Sequence, residues 1–289
     1  TAIVDPKGNL ASTGAGIPLF VAGLDKAVLF MIRKCEAEGI EIEPGDVFVT
    51  NDPYNGGVTH LNDVVFLMPV FVDGLIVAWT ADIAHWNDVG GMVPGSMAPT
   101  ATEIYQEGLR LPGVKIIAKG KPNEPLIEVI KINSRMPEFL EGDLWAGIAA
   151  VRVGARRLEE VVRKYGSPIF REAIQRFLDY GERMTLEAFK NLPKGRFTYQ
   201  EEQDSGLVYS CAIEIRDDAF IVDVEDNPPE PGPYNISRDA SLLAAQLLLK
   251  AVTDPSPICN GGNFRPLKFI TKKGTVFDPE EPAAQGVYY

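Results

Sequence analysis

The stretch that most constrains this chain is residues 51–96, NDPYNGGVTHLNDVVFLMPVFVDGLIVAWTADIAHWNDVGGMVPGS, because both of its two histidines, His60 and His85, lie there. Between them run VVFLMPVFV and LIVAWTADIA, apolar segments rich in β-branched and aromatic residues, separated by Asp73-Gly74. That is the turn chemistry of a hairpin. A hairpin returns the chain to its starting end, so His60 and Asp63 are expected to face His85 across adjacent strands. The settings match, H-L-N-D and H-W-N-D, with glycine pairs at Gly56-Gly57 and Gly90-Gly91. Paired glycines let the backbone turn tightly where side chains would obstruct. Two imidazoles with one or two carboxylates make a divalent-metal site of zinc, manganese or iron type. The competing reading is two separate structural histidines, each hydrogen-bonded to its own surroundings.

The flanking polar residues carry weaker signals. Asp52 follows the strand VFVT and precedes Pro53; it reads as a ligand, as a group orienting an imidazole, or as a turn former. Asp88 divides between supporting the site and capping a loop, and Trp86 between walling off the site and core packing. Further on, TATEIYQEGLRLPGVK places Glu103 and Glu107 four apart, on one face if the segment is helical. Such a pair beside a metal can act as a general base or hold a cation, although a solvated helix face has the same spacing. Arg110 can pair with a substrate carboxylate or phosphate, or with a structural acid. Gly14 and Gly16 belong to no GxxxxGK[ST] pattern and read as turn residues.

Taken in order, the chain predicts an α+β (mixed α/β) fold. Residues 1–192 form a domain with an N-terminal mixed sheet and helices, including a helix over Phe20–Glu38, followed by a helical middle. Its three helices are expected at Leu126–Asn133, Phe139–Gly166 and Pro168–Asn191, the second with Leu144, Ile148, Val151, Ala155 and Leu158 as its buried stripe. After Pro193-Lys194-Gly195 the texture turns to β. Residues 193–289 are expected to be an antiparallel β-rich domain, incomplete, with one buried helix near Ala240–Val252 and a closing hairpin around Lys273-Gly274. A net charge of −12 and the lack of a basic run argue against nucleic-acid binding. Three widely spaced cysteines without a CxxC indicate reduced thiols and a cytoplasmic location, and no apolar run has the length of a membrane span.

GDVFVTNDPYNGGVTHLNDVVFLMPVF, AHWNDVGGMVPGSM, TEIYQEGLRLP, GDLWAGIAAVRVGARRL and NGGNFRPL, in this order, resemble the signature blocks of the hydantoinase B/oxoprolinase family. The resemblance covers nearly the whole chain. It implies a metal held by His60, Asp63 and His85, zinc first and manganese or iron as alternatives. It also implies an ATP-dependent enzyme, a hetero-oligomer in which a hydantoinase A-type, ATP-binding partner phosphorylates a cyclic amide. Asp88, Glu103, Glu107 and Arg110 are then the candidates for catalytic work. The alternatives are a component of an ATP-dependent ketone carboxylase and a non-catalytic structural subunit. Members of the family extend further at both ends. The chain is therefore expected to be part of a longer polypeptide, with one more carboxylate ligand upstream of Thr1.

Overall fold

The computed structural model describes residues 1–14, 23–256 and 258–287. The expected helix start at Phe20, and Gly16, lie outside the described residues. A hairpin of β1 (Ala2–Val4) and β2 (Leu10–Thr13) opens the chain, its turn closed by Asp5 Oδ1, which accepts from the main-chain N–H of Lys7 and Asn9. Helix α1 (Leu24–Glu38) follows. Then come β3 (Val47–Thr50), β4 (Asp63–Val72), β5 (Leu75–His85), β6 (Val114–Ala118) and β7 (Lys121–Pro122). These strands form one seven-stranded sheet in the order β2-β1-β5-β4-β3-β6-β7. Its β4–β5 hairpin turns at Asp73 and Gly74, both with positive φ (52° and 79°), as a two-residue hairpin loop requires.

Alternation along these strands decides what lies on each side of the sheet. Val47, Val49, Val64 and Phe66 point to one core, which α2 (Glu124–Ile132) and α3 (Pro137–Tyr165) cover. Phe48, Val65, Leu67, Trp79 and Ala81 point to the other, under α1. Both faces are therefore buried, which explains why the two hairpin segments are apolar almost throughout. Helix α3 lies closely on the sheet: a Cβ at Gly147 would stand 2.4 Å from two ring atoms of Phe66. Thr80 Oγ1 also donates to the carbonyl of Val151 at 2.9 Å.

Helix α4 (Ser167–Phe189) leads to a second sheet of β8 (Gly195–Glu202), β9 (Val208–Ile215), β10 (Phe220–Asp223) and β11 (Leu267–Ile270), in the order β11-β10-β9-β8. Phe189 and α5 (Arg238–Thr253), through Ala245 and Leu249, pack against it. Leu247 and Leu248 of α5 are exposed, so one side of that helix is buried and not the whole of it.

The α+β class is as expected, with strand directions different in detail. The first sheet, expected to be mixed, is antiparallel at every pairing between its strands. The second, expected to be antiparallel, has β11 parallel to β10. The hairpin expected around Lys273-Gly274 is a turn with no second strand, because Val276 is drawn off to the carbonyl of Pro228 and the N–H of Ile236. No helix among the described residues is long and apolar enough to cross a membrane.

In an exposed helix, alanine is favoured over glycine by about 1 kcal/mol. At position 147 the sign reverses. Gly147→Ala must push Phe66 or α3 aside and is expected to destabilise by about 1–3 kcal/mol, the range for overpacking. Urea denaturation checks this, and an unchanged or raised midpoint contradicts it.

Candidate metal centre

The pairing of β4 with β5 runs from Asp63↔His85 to Val72↔Leu75, so Asp63 and His85 stand opposite one another at the open end of the hairpin. His60 reaches them from the turn before β4, where the N–H of Asp63 donates to the His60 carbonyl at 3.1 Å. The two imidazole rings have centroids 5.1 Å apart and planes tilted by 39°. His60 Nε2 is 3.3 Å from Asp63 Oδ2. One donor atom from each of His60, Asp63 and His85 falls within 4.8 Å of the others. His60 and Asp63 are buried, while His85 keeps an exposed edge.

Buried amides lock this end of the hairpin. Asn62 Nδ2 donates to the carbonyl of Trp86 at 2.6 Å, and Trp86 N–H returns a bond to the Asn62 carbonyl at 2.7 Å. Asn51 Nδ2 donates to the carbonyls of Leu61 and Leu109 at 2.6 and 2.9 Å, and its Oδ1 accepts from Leu111 N–H at 2.6 Å. Three loops that approach from different parts of the chain are thereby fixed around the histidines. Gly90 brings a fourth segment in: its φ is 86°, and a Cβ there would stand 2.0 Å from the carbonyl oxygen of Asn133.

Two neutral imidazoles and a carboxylate are a usual donor set for zinc and related divalent ions. His60, Asp63 and His85 fit one on two further observations. Asp63 Oδ2 accepts the hydroxyl of Thr59, while its Oδ1 is buried with no hydrogen-bond partner. Partial burial, and then the neighbouring imidazole of His60, push His85 below the usual histidine range, which favours the neutral ring a cation needs.

The other sequence candidates separate. Glu107 is close by. Burial raises its carboxyl, main-chain N–H donors from Gly286 and Gln285 and then the charge of His60 pull it back, and the outcome is about 7. Glu103 is not with it. The segment is a short 3-10 turn, Ile104–Gln106, with Glu103 in extended conformation before it and Glu107 after it, so the two do not share a helix face. Glu103 instead takes part in a capping arrangement with Gln106 and is exposed. Arg110 meets an acid: it stands 2.7 Å from Glu281 and over the ring of Tyr54 at 5.9 Å.

Asp88 is occupied elsewhere. Its carboxylate accepts from the main-chain N–H groups of Gly90, Gly95 and Arg135 and from the Arg135 guanidinium. Burial acts to raise this carboxyl, but those donors outweigh it and hold it below the usual range. Asp52 closes its own turn through Tyr54 N–H and the Asn55 amide.

Sequence reasoning missed two residues. Thr59 could have been found, since T-H-x-x-D sets its hydroxyl four residues before the carboxylate it bonds. Gln285 could not: it arrives with a strap, residues 281–286, that crosses back from the far end of the chain. Tyr54 hydroxyl donates to the Ala283 carbonyl, Ile104 N–H to that of Pro282 at 2.8 Å, and Glu107 Oε1 accepts from Gln285 and Gly286 N–H at 2.7 and 2.6 Å.

Fold and site together define an α+β protein with a His–Asp–His donor cluster at the end of its main sheet. A family profile described as hydantoinase B/oxoprolinase matches residues 1–289, and the chain belongs to that family. It is 34% identical over 289 residues to an uncharacterised protein of Methanocaldococcus jannaschii, covering 99% of this chain and 51% of that one. It is 33% identical over 291 residues to the beta component of the caprolactamase of Pseudomonas jessenii, covering 98% and 49%. The crystal structure of the ATP-dependent caprolactamase from that organism superimposes with a TM-score of 0.88 at 32% identity, covering 98% of this chain and 49% of that one. The nucleotide-free structure of an acetone carboxylase shares the fold, with a TM-score of 0.90 at 20% identity over 99% of this chain and 40% of that one. The chain thus spans about half the length, or less, of the relatives it matches.

Orienting partners of metal ligands typically contribute about 10–100-fold to affinity. Thr59→Val is therefore expected to weaken zinc binding by about that factor, measured by competition with a chromophoric chelator, and Thr59→Ser to restore it. Equal affinity in Thr59→Val would show that the hydroxyl does not orient Asp63.

Proposed function

We propose that this chain is the metal-holding component of an ATP-dependent cyclic amide hydrolase. It acts on a hydantoin, 5-oxoproline or lactam ring that a hydantoinase A-type partner phosphorylates. The observation that carries the reading is the convergence of donor atoms from His60, Asp63 and His85 within 4.8 Å, with Asp63 Oδ1 buried and unbonded. The kinship supports the substrate class, since a caprolactamase and, at 29% identity, a putative D-/L-hydantoinase of a Pseudomonas strain are among the enzymes whose components it resembles. An unstrained amide is a poor electrophile, and phosphorylation of its oxygen supplies a leaving group. The sequence has no GxxxxGK[ST] phosphate loop, which agrees with ATP binding by the partner.

His60, Asp63 and His85 would hold the cation, zinc in the first instance and manganese or iron otherwise. When bound, such an ion supplies Lewis acidity at neutral pH. The remaining work falls to the chain's own side chains. Glu107, buried beside the three donors, takes a proton from the attacking water and is the general base. Gln285 and Gly286 fix one oxygen of that carboxylate through their N–H groups and leave Oε2 buried without a hydrogen bond. Arg110 and Glu281 hold the strap against the site.

A second reading, a component of a ketone carboxylase, has one observation in its favour: 28% identity to the delta subunit of an acetophenone carboxylase. Assaying ATP hydrolysis stimulated by lactams, hydantoins and ketones, with the partner present, separates the two. Cyclic amides are expected to stimulate; stimulation by ketones alone contradicts the hydrolase.

Within the hydrolase reading, Glu107→Gln is expected to lower kcat by about 10²–10⁴-fold, the usual contribution of a general base, with metal content unchanged. A base works in its ionised form, so wild-type activity falls as pH drops through the Glu107 pKa. That value is about 7 for the carboxyl alone and lower once a cation lies beside it. This acid limb is expected to disappear in Glu107→Gln, and its persistence assigns the base elsewhere.

A further inference from the structure

The donor cluster does not account for all the polar atoms gathered around it. Among the described residues, Glu107 Oε2, Arg110 Nη1 and Gln285 Oε1 are also buried without a hydrogen bond, and Gln285 Nε2 has only the Tyr54 hydroxyl beside it. Buried polar groups in folded proteins are nearly always paired, and a cluster of orphans marks a place where something else binds. Gln285 is the most telling of them. It is 0% exposed, and its own N–H is bonded to Glu107 Oε1 at 2.7 Å, which pins the residue beside that carboxylate. Its side chain lies by the hydroxyl of Tyr54, which gives its hydrogen to the Ala283 carbonyl and accepts from the Gln285 amide, so that Oε1 and the second N–H of Nε2 are left over.

A primary carboxamide presents a donor and an acceptor side by side. A cis amide presents the complementary edge, with N–H and C=O on the same side. Open-chain secondary amides are overwhelmingly trans, whereas an amide within a five- to seven-membered ring has no choice but cis. A ketone offers an acceptor only.

We propose that Gln285 reads the cis-amide edge of a cyclic amide, with Nε2–H donating to the ring carbonyl and Oε1 accepting the ring N–H. The inference rests on the hydrolase reading and deepens it by naming the residue that selects a lactam, imide or hydantoin over a ketone of the same size. The two-point contact belongs to the neutral ring, bound here before the partner phosphorylates it. Phosphoryl transfer from ATP to the amide oxygen leaves ADP and gives up the ring N–H proton to water, and Nε2–H can then donate to the bare ring nitrogen.

Calorimetric titration of the zinc-loaded protein with 2-pyrrolidone, N-methyl-2-pyrrolidone and cyclopentanone tests this. Wild type is expected to bind 2-pyrrolidone at least about tenfold more tightly than either analogue, because each lacks the N–H; a good hydrogen bond to a buried group supports a factor of this size. Gln285→Leu is expected to lose that preference while its zinc affinity and circular dichroism stay unchanged. Equal binding of 2-pyrrolidone and its N-methyl analogue by wild type overturns the proposal whether or not the variant folds. So does a wild type that binds neither lactam, or a folded Gln285→Leu that binds 2-pyrrolidone undiminished, in which case the amide holds an ordered water only. The two levels separate cleanly. Selective ring binding without lactam-stimulated ATP hydrolysis in the complex sinks the hydrolase and keeps the contact. Hydrolysis with undiminished binding by Gln285→Leu sinks the contact alone.

Discussion

The register of β4 against β5 holds the rest of the site together. Asp63 and His85 are partners in the ladder, and below them Val65, Leu67, Ala81 and Trp79 fill one core. Because side chains alternate with a period of two, a slip by one residue would send Asp63 and His85 to opposite faces and bury the wrong set. The sheet is covered on both sides, so such a slip would also disrupt two cores at once. The site is therefore fixed by the same packing that stabilises the fold. The Asn62–Trp86 exchange of hydrogen bonds carries that register one step past the last strand residue, up to the loop that holds His60.

A second layer comes from the distant strap. Residues 281–286 bring backbone donors to Glu107, an acid to Arg110 and a carbonyl to Tyr54. The part of the chain that follows the four-stranded sheet thus delivers a short segment to the other sheet's open end. Burial of Glu107 raises its carboxyl, and the N–H groups of Gly286 and Gln285 in that segment pull it back to about 7.

How legible this was depends on how local each cause is. The hairpin, its Asp73-Gly74 turn and the meeting of His60, Asp63 and His85 follow from apolar runs and turn chemistry within 26 residues, and could be read directly. The helices of the middle region announced themselves by period. Glu107 was named on the assumption of a helix that is not there, so it arrives at the site by a different geometry from the one expected, and its companion Glu103 does not arrive at all. Asp88 looked equivalent to Asp63 in sequence; the difference is Arg135, 47 positions away, which with three main-chain donors takes up its oxygens. The parallel placement of β11 and the approach of Gln285 depend on contacts between distant segments, and no local pattern encodes them.

The central claim is that the chain's two imidazoles and the Asp63 carboxylate share one cation. Anomalous diffraction from crystals grown with zinc, manganese and iron, recorded at each absorption edge, tests it directly. The account predicts a single peak bounded by His60, Asp63 and His85. Rings bridged only by water, with no peak between them for any of the three metals, would contradict it.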